Sequence, residues 1–113
     1  MTQNEKDLLI KDLCARLPYG VKVEYENKIF DVEYVCPMYE EIKLDIPETW
    51  TISIDEVKPY LLPMSSITEE QFEEYMNIPS GHQSIDWFNK NHVDYRCLIE
   101  RGLVNDATGL NIY

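Results

Sequence analysis

Between Val21 and Ile54 the apolar residues fall at every second position, a period that fits strands and not a helix. Val21, Val23 and Tyr25 alternate with Lys22, Glu24 and Glu26. After a turn at Asn27-Lys28, Phe30, Val32 and Tyr34 alternate with Asp31, Glu33 and Val35, which predicts a hairpin with one apolar face. Cys36-Pro37 interrupts the pattern, and a third strand follows with Ile42, Leu44 and Ile46 inward and Glu41, Lys43 and Asp45 outward, ending at Pro47. A fourth sets Trp50, Ile52 and Ile54 against Thr49, Thr51 and Ser53. Because only one face of each strand is apolar, one side of the sheet needs a cover and the other stays wet.

The cover comes from helical periods on either side. Leu9, Ile10, Leu13, Cys14 and Leu17 predict an amphipathic helix over residues 4–17, capped by Asn4, with Glu5, Asp12 and Arg16 facing out and the last two forming an i,i+4 pair. Pro18 and Gly20 turn the chain into the sheet. Val57 to Leu62 reads as an edge strand or an extended segment, since Pro59 and Pro63 lack a ladder donor. Thr68 and Gln71 have the spacing of a capping box and Ile67 and Phe72 that of a hydrophobic staple, so a helix starts at Thr68 with Phe72, Tyr75 and Met76 inward. Ser84 caps a short helix carrying Ile85, Trp87 and Phe88 and ended by Asn91, and Asp94 caps another carrying Tyr95, Leu98 and Ile99. Gly102 stops that helix, with Leu103 placed against its last turn. The expected fold is α+β: an N-terminal helix, a four- to five-stranded antiparallel sheet, then two or three C-terminal helices on one face. It forms a single domain over residues 1–113, with residues 104–113 as a tail from which Leu110, Ile112 and Tyr113 can pack back.

The charge is lopsided, with 21 acidic against 10 basic residues and a net of −11. Direct binding to nucleic acid is disfavoured, because it rests on clustered Lys and Arg. Cys14, Cys36 and Cys97 are odd in number, far apart and set among apolar neighbours, which suits reduced, buried thiols better than a disulfide framework. There is no signal-peptide pattern and no apolar run long enough to span a bilayer, so a soluble cytoplasmic protein is expected.

On the polar side of the sheet Glu24, Glu26, Asp31, Glu33, Glu41 and Asp45 would be offset only by Lys22 and Lys43. The plain reading is a solvated face that keeps the protein soluble; the functional reading is a surface for a basic partner. The acid run Glu69, Glu70, Glu73 and Glu74 suits an exposed first turn of a helix. Tyr60, Leu62 and Met64, in a stretch stiffened by prolines, either fill the space between sheet and helices or form a recognition edge. No two of Cys14, Cys36, Cys97, His82 and His92 have metal-ligand spacing, and no glycine-rich phosphate loop exists. A Cys97 or Cys14 nucleophile with His92 as base and Asp94 as orienter can be written, against cysteines in apolar periodic positions that predict inert burial.

The segments KDLCARLPYGVK at 11–22, VKPYL at 57–61, PMSS at 63–66, Ile85-Asp86-Trp87 and Asp94-Tyr95-Arg96 occur together in one order. In these the chain resembles a group of short uncharacterised proteins of phages, prophages and mobile elements of gut Bacteroidales. The resemblance implies a setting, a gene expressed in bacterial cytoplasm, and no reaction or site. The expected function is a non-catalytic protein-binding module without cofactor or metal, of an inhibitor or nucleic-acid-mimic kind, engaging a basic protein partner and neither nucleic acid nor membrane. A small hydrolase-type enzyme and a scaffold or virion accessory protein are the alternatives, and a homodimer through an edge near Val57 stays open.

Overall fold

The computed structural model describes residues 1–47, 51–79 and 81–113. The first element, α1 (Gln3–Arg16), is capped two residues before Asn4: Thr2 is the cap, accepting from Glu5 N while Glu5 Oε1 accepts from Thr2 N at 2.9 Å. Leu9, Ile10 and Leu13 are buried, as the period requires. Asp12 and Arg16 do form the i,i+4 pair, at 2.8 Å, but both are 0% exposed, which corrects the expectation that they face solvent.

The sheet is mixed and six-stranded: β1 (Lys22–Tyr25), β2 (Lys28–Cys36), β3 (Glu41–Leu44), β4 (Ile52–Ser53), β5 (Lys58–Leu61) and β6 (Asn105–Asp106), in the order β4-β3-β2-β1-β5-β6. All neighbours are antiparallel except β5 and β6. The first hairpin turns at Glu26-Asn27, one residue before the expected place, with both residues at positive φ (49° and 64°), as a two-residue turn matching the strand twist requires. A register shift between Val32 and Tyr34 then reverses the pattern of β2. Val32 faces Leu44 in the core, Tyr34 pairs with Lys43 and is exposed, and Val35 takes the inward place beside Ile42. Thr49 and Trp50, expected in the fourth strand, lie outside the described residues.

β5 is not an edge. It lies between β1 and β6, and Pro59 is tolerated because pairing with β6 begins only at Tyr60. The sheet is extended past β5 by Leu62, whose N–H donates to His92 O and whose C=O accepts from Asp94 N, each at 2.8 Å. The tail is structured as well, since residues 105 and 106 are β6 and Ala107 N donates to Leu61 O.

Two helices follow β5, α2 (Glu69–Met76) and α3 (Gly81–Lys90). α2 starts where its capping box places it, with Thr68 accepting from Gln71 N and Gln71 Oε1 accepting from Thr68 N. α3 begins before Ser84, which lies inside it. The expected third helix is a series of turns, because Cys97 adopts a left-handed conformation (φ 59°) that an α-helix does not accept. Its ends nonetheless follow the sequence: the Asp94 carboxylate accepts from Leu98 N and Ile99 N at 2.9 Å, while Gly102 N donates to Ile99 O and Leu103 N to Leu98 O around a Gly102 φ of 74°. His92, not Asn91, takes the left-handed corner after α3 (φ 61°).

Among the described residues the buried apolar side chains form two clusters. Leu9, Ile10 and Leu13 of α1 pack on Val23, Val32, Ile42, Leu44 and Leu61 of the sheet, closed by Leu98, Leu103 and Val104. Trp87, Phe88 and Val93 form the second, with Ile67, Tyr75, Ile78 and Tyr95 against it. A buried polar network joins the clusters. Arg16 Nε donates to Asp12 Oδ2 and Arg16 Nη2 to Val93 O at 2.7 Å, Arg96 Nη1 donates to Asp12 Oδ1, and Tyr95 lies under both guanidiniums at 5.3 and 4.5 Å. Asp12→Ala leaves two guanidiniums without their shared carboxylate, so it should cost about 3–5 kcal/mol. Arg96→Ala, which leaves one oxygen of the buried Asp12 carboxylate without its donor but keeps Arg16 in place, should cost less, about 1–3 kcal/mol. Urea denaturation of the two variants checks the order.

Candidate functional site

The outward face of the sheet follows from the register. Lys22 opposes Asp31, Glu24 opposes both Ile29 and Lys58, Tyr34 opposes Lys43, and Glu41 opposes Ser53. Three lysines therefore interrupt the carboxylates, where the sequence pattern counted two. Lys22 pairs with Asp31 at 2.7 Å and Lys43 approaches Glu33 at 3.7 Å, while Glu24 accepts from Asn105 Nδ2 and Glu41 from Thr51 Oγ1. Ile29 and Tyr34 are exposed among them. This is a mixed surface with paired charges, and Asp45 stands exposed at its margin.

Glu26 belongs to a different place. It sits in the β1–β2 turn, and with Glu24, Asp55 and Glu56 it lines an open cleft whose other charged side chain is Lys58. Asp55 and Glu56 come from a short turn at Ile54–Glu56 and were not singled out in the sequence; adjacent acids directly after a strand were the available signal. Asp55 is held by Lys6 of α1 at 3.1 Å.

The proline-rich stretch divides. Tyr60 is only 8% exposed and Leu62 is half-buried, because β6 and the chain at 92–94 cover that side of β5, so neither forms a recognition edge. Met64 is exposed and lines a second, more apolar groove with Ile67, Thr68, Glu69, Phe72 and Glu73. Phe72 and Met76, expected inward, point out; of the three apolar residues of α2 only Tyr75 packs, its ring 5.6 Å from Trp87 and 5.1 Å from Phe88.

The groups needed for a cysteine hydrolase are not joined. Both Asp94 oxygens accept backbone N–H groups, and His92 Nδ1 is buried without a hydrogen-bond partner. Cys97 and Cys14 are exposed and Cys36 is half-buried, all three as free thiols, which corrects the expectation of burial. They lie off the core because Cys97 occupies an outward left-handed corner and Cys14 the solvent side of α1. Among the described residues, no group of three His, Cys, Asp or Glu side chains is placed to hold a metal ion, and no helix is long and apolar enough to cross a membrane.

His92 and Tyr113 form a stacked pair of titratable side chains. Their rings stack at 3.7 Å and 9°, and the Tyr113 hydroxyl accepts from Lys22 N and donates to Tyr60 O. Burial pushes the phenol up to about 12, and burial, with Arg16 and Lys22 nearby, holds the imidazole down to about 4. These side chains lock the last residues onto the sheet.

No family model matches the chain, and no curated protein or solved structure is significantly similar to it. The fold is thus described by its own geometry, an α+β domain with a six-stranded mixed sheet.

The depressed His92 pKa has a pH signature. The unfolded chain takes up a proton near the ordinary value of 6.5 and the folded chain only near 4, so the stabilising contribution is complete above about 6.5 and is lost as pH falls towards 4. Asn tolerates the left-handed corner and does not titrate, so His92→Asn should flatten the fall in urea midpoint between pH 7 and pH 4.5.

Proposed function

We propose that this chain is a non-catalytic binding module for a basic protein, acting in the bacterial cytoplasm as part of a phage or mobile element. The observation that carries the reading is the unequal fate of its charges. Lys6, Arg16, Lys22, Lys43 and Arg96 are each paired with an Asp or Glu, while Glu24, Glu26 and Glu56 crowd an open cleft beside Lys58 and the Lys6-bound Asp55, and Glu69, Glu70, Glu73 and Glu74 run the length of α2. A protein that only needed solubility could spread its excess charge. Here eight of the 21 acidic residues are gathered in two solvent-facing patches, with apolar side chains beside one of them. Such surfaces steer an oppositely charged partner and repel nucleic acid and anionic membrane alike.

Interruption of the sheet face by Lys22, Lys43 and Lys58 weighs against a broad nucleic-acid mimic built on that face, since a phosphate-like array needs unpaired carboxylates. It favours a more local contact, as an inhibitor or adaptor of one basic protein would make.

Tagged protein used as bait in host extract, with identified captures then purified and remixed, tests the reading. A basic partner should be retained at about 0.05 M salt and released at about 0.5 M, where the screening length has fallen to about 4 Å and attraction beyond direct contact is lost. Capture of acidic proteins alone, or retention indifferent to salt, would refute it.

A further inference from the structure

We propose that the outer face of α2, with the Met64–Ser66 turn beside it, is a docking groove for a segment of another protein that carries Lys or Arg around a large apolar side chain. The inference rests on the basic-partner reading above and places its contact. Glu69, Phe72, Glu73 and Met76 follow the spacing i, i+3, i+4, i+7 and so share one face of the helix. Phe72 is 54% exposed, Met76 63% and Met64 47%.

This face is not turned outward by fraying. The capping box fixes the start of α2, Glu74 Oε1 accepts from Trp87 Nε1 at 3.0 Å, and Tyr75 packs on Trp87 and Phe88. With the inner side so anchored, helix geometry presents Phe72 and Met76 to solvent. Large apolar side chains exposed together, with polar residues at their rim, mark interaction surfaces more often than isolated exposed ones do.

Charge selects the occupant. The groove is bordered by Glu69 and Glu73, Glu70 adds to the same turn, and α2 contains no basic residue. A second copy of the chain would set these carboxylates against themselves at a net charge of −11 each, and a nucleic acid would be repelled. A partner segment with an apolar residue for the space between Met64 and Phe72, and with cationic side chains reaching Glu69 and Glu73, satisfies both features of the groove.

The test is an NMR titration of the 15N-labelled chain at low salt with two probes, an amphipathic Leu/Lys peptide with leucines at helical spacing and an oligolysine of equal charge. Shifts from the Leu/Lys peptide should concentrate between Met64 and Met76. Phe72→Ser should weaken that binding by about tenfold or more, as loss of a buried aromatic anchor does. The double variant Glu69→Gln, Glu73→Gln should weaken it by about two- to fivefold and reduce its salt dependence. Unchanged spectra of the sheet confirm that the variants fold. Shifts confined to the Glu24–Glu56 cleft, or unchanged affinity of Phe72→Ser, would overturn the groove and leave the basic-partner reading standing. Failure of both probes to bind anywhere would overturn both. A dimer in sedimentation that Phe72→Ser disperses would assign the groove to a second copy and overturn the proposal.

Discussion

A carboxylate with no exposure to water must be answered by cations or donors inside the protein, and Asp12 imposes that demand on everything around it. One oxygen is met by Arg16 from the same helix and the other by Arg96 from the turns after Asp94. Arg16 in turn reaches the Val93 carbonyl, so the segment at 92–94 that extends the sheet beside Leu62 is held to α1. Tyr95 lies against both guanidiniums and stacks at 5.4 Å on Phe88. The network is thus the joint between the core under α1 and the aromatic cluster that supports α2 and α3.

The parts of the fold that local rules decide were readable in the residues. The strand alternation over Val21–Val32 and Ile42–Leu44, the apolar stripe Leu9–Ile10–Leu13, the capping box at Thr68 and the Gly102 stop all stand. What escaped depends on distant partners. An Asp12–Arg16 pair has the same spacing whether it faces water or protein, and Arg96, which decides the matter, lies 84 residues away. The shift that turns Tyr34 outward is a property of pairing with β3, and β6 is two residues long, too short for any period to reveal. Phe72 and Met76 carry an apolar signal that reads as core, and only the packing of Tyr75 and Glu74 on α3 shows which side of α2 is inside.

The candidate surface was legible in composition and not in geography. Glu24 and Glu26 were identified as acids on a strand, but the turn at Glu26-Asn27 separates Glu26 from the sheet face and joins it to Asp55 and Glu56. Lys58 neutralises part of Glu24 only because β5 enters beside β1 and not at the rim. Part of the surplus charge therefore ends up in patches on two kinds of structure, one a cleft between turns and one a helix face, and each would present a partner with a different mixture of charge and apolar area.

The hydrogen bond from Arg16 to Val93 spans 77 residues of sequence, and this orders events in time as well as in space. The guanidinium and carboxylate on α1 cannot leave water favourably until the 93–96 segment arrives to complete their coordination. The β1–β3 meander can form from near neighbours, whereas firm seating of α1 must wait for distant chain. Loop-closure entropy therefore predicts a transition state that holds the meander before it holds the first helix, which φ-values at Val23 and Leu13 would measure.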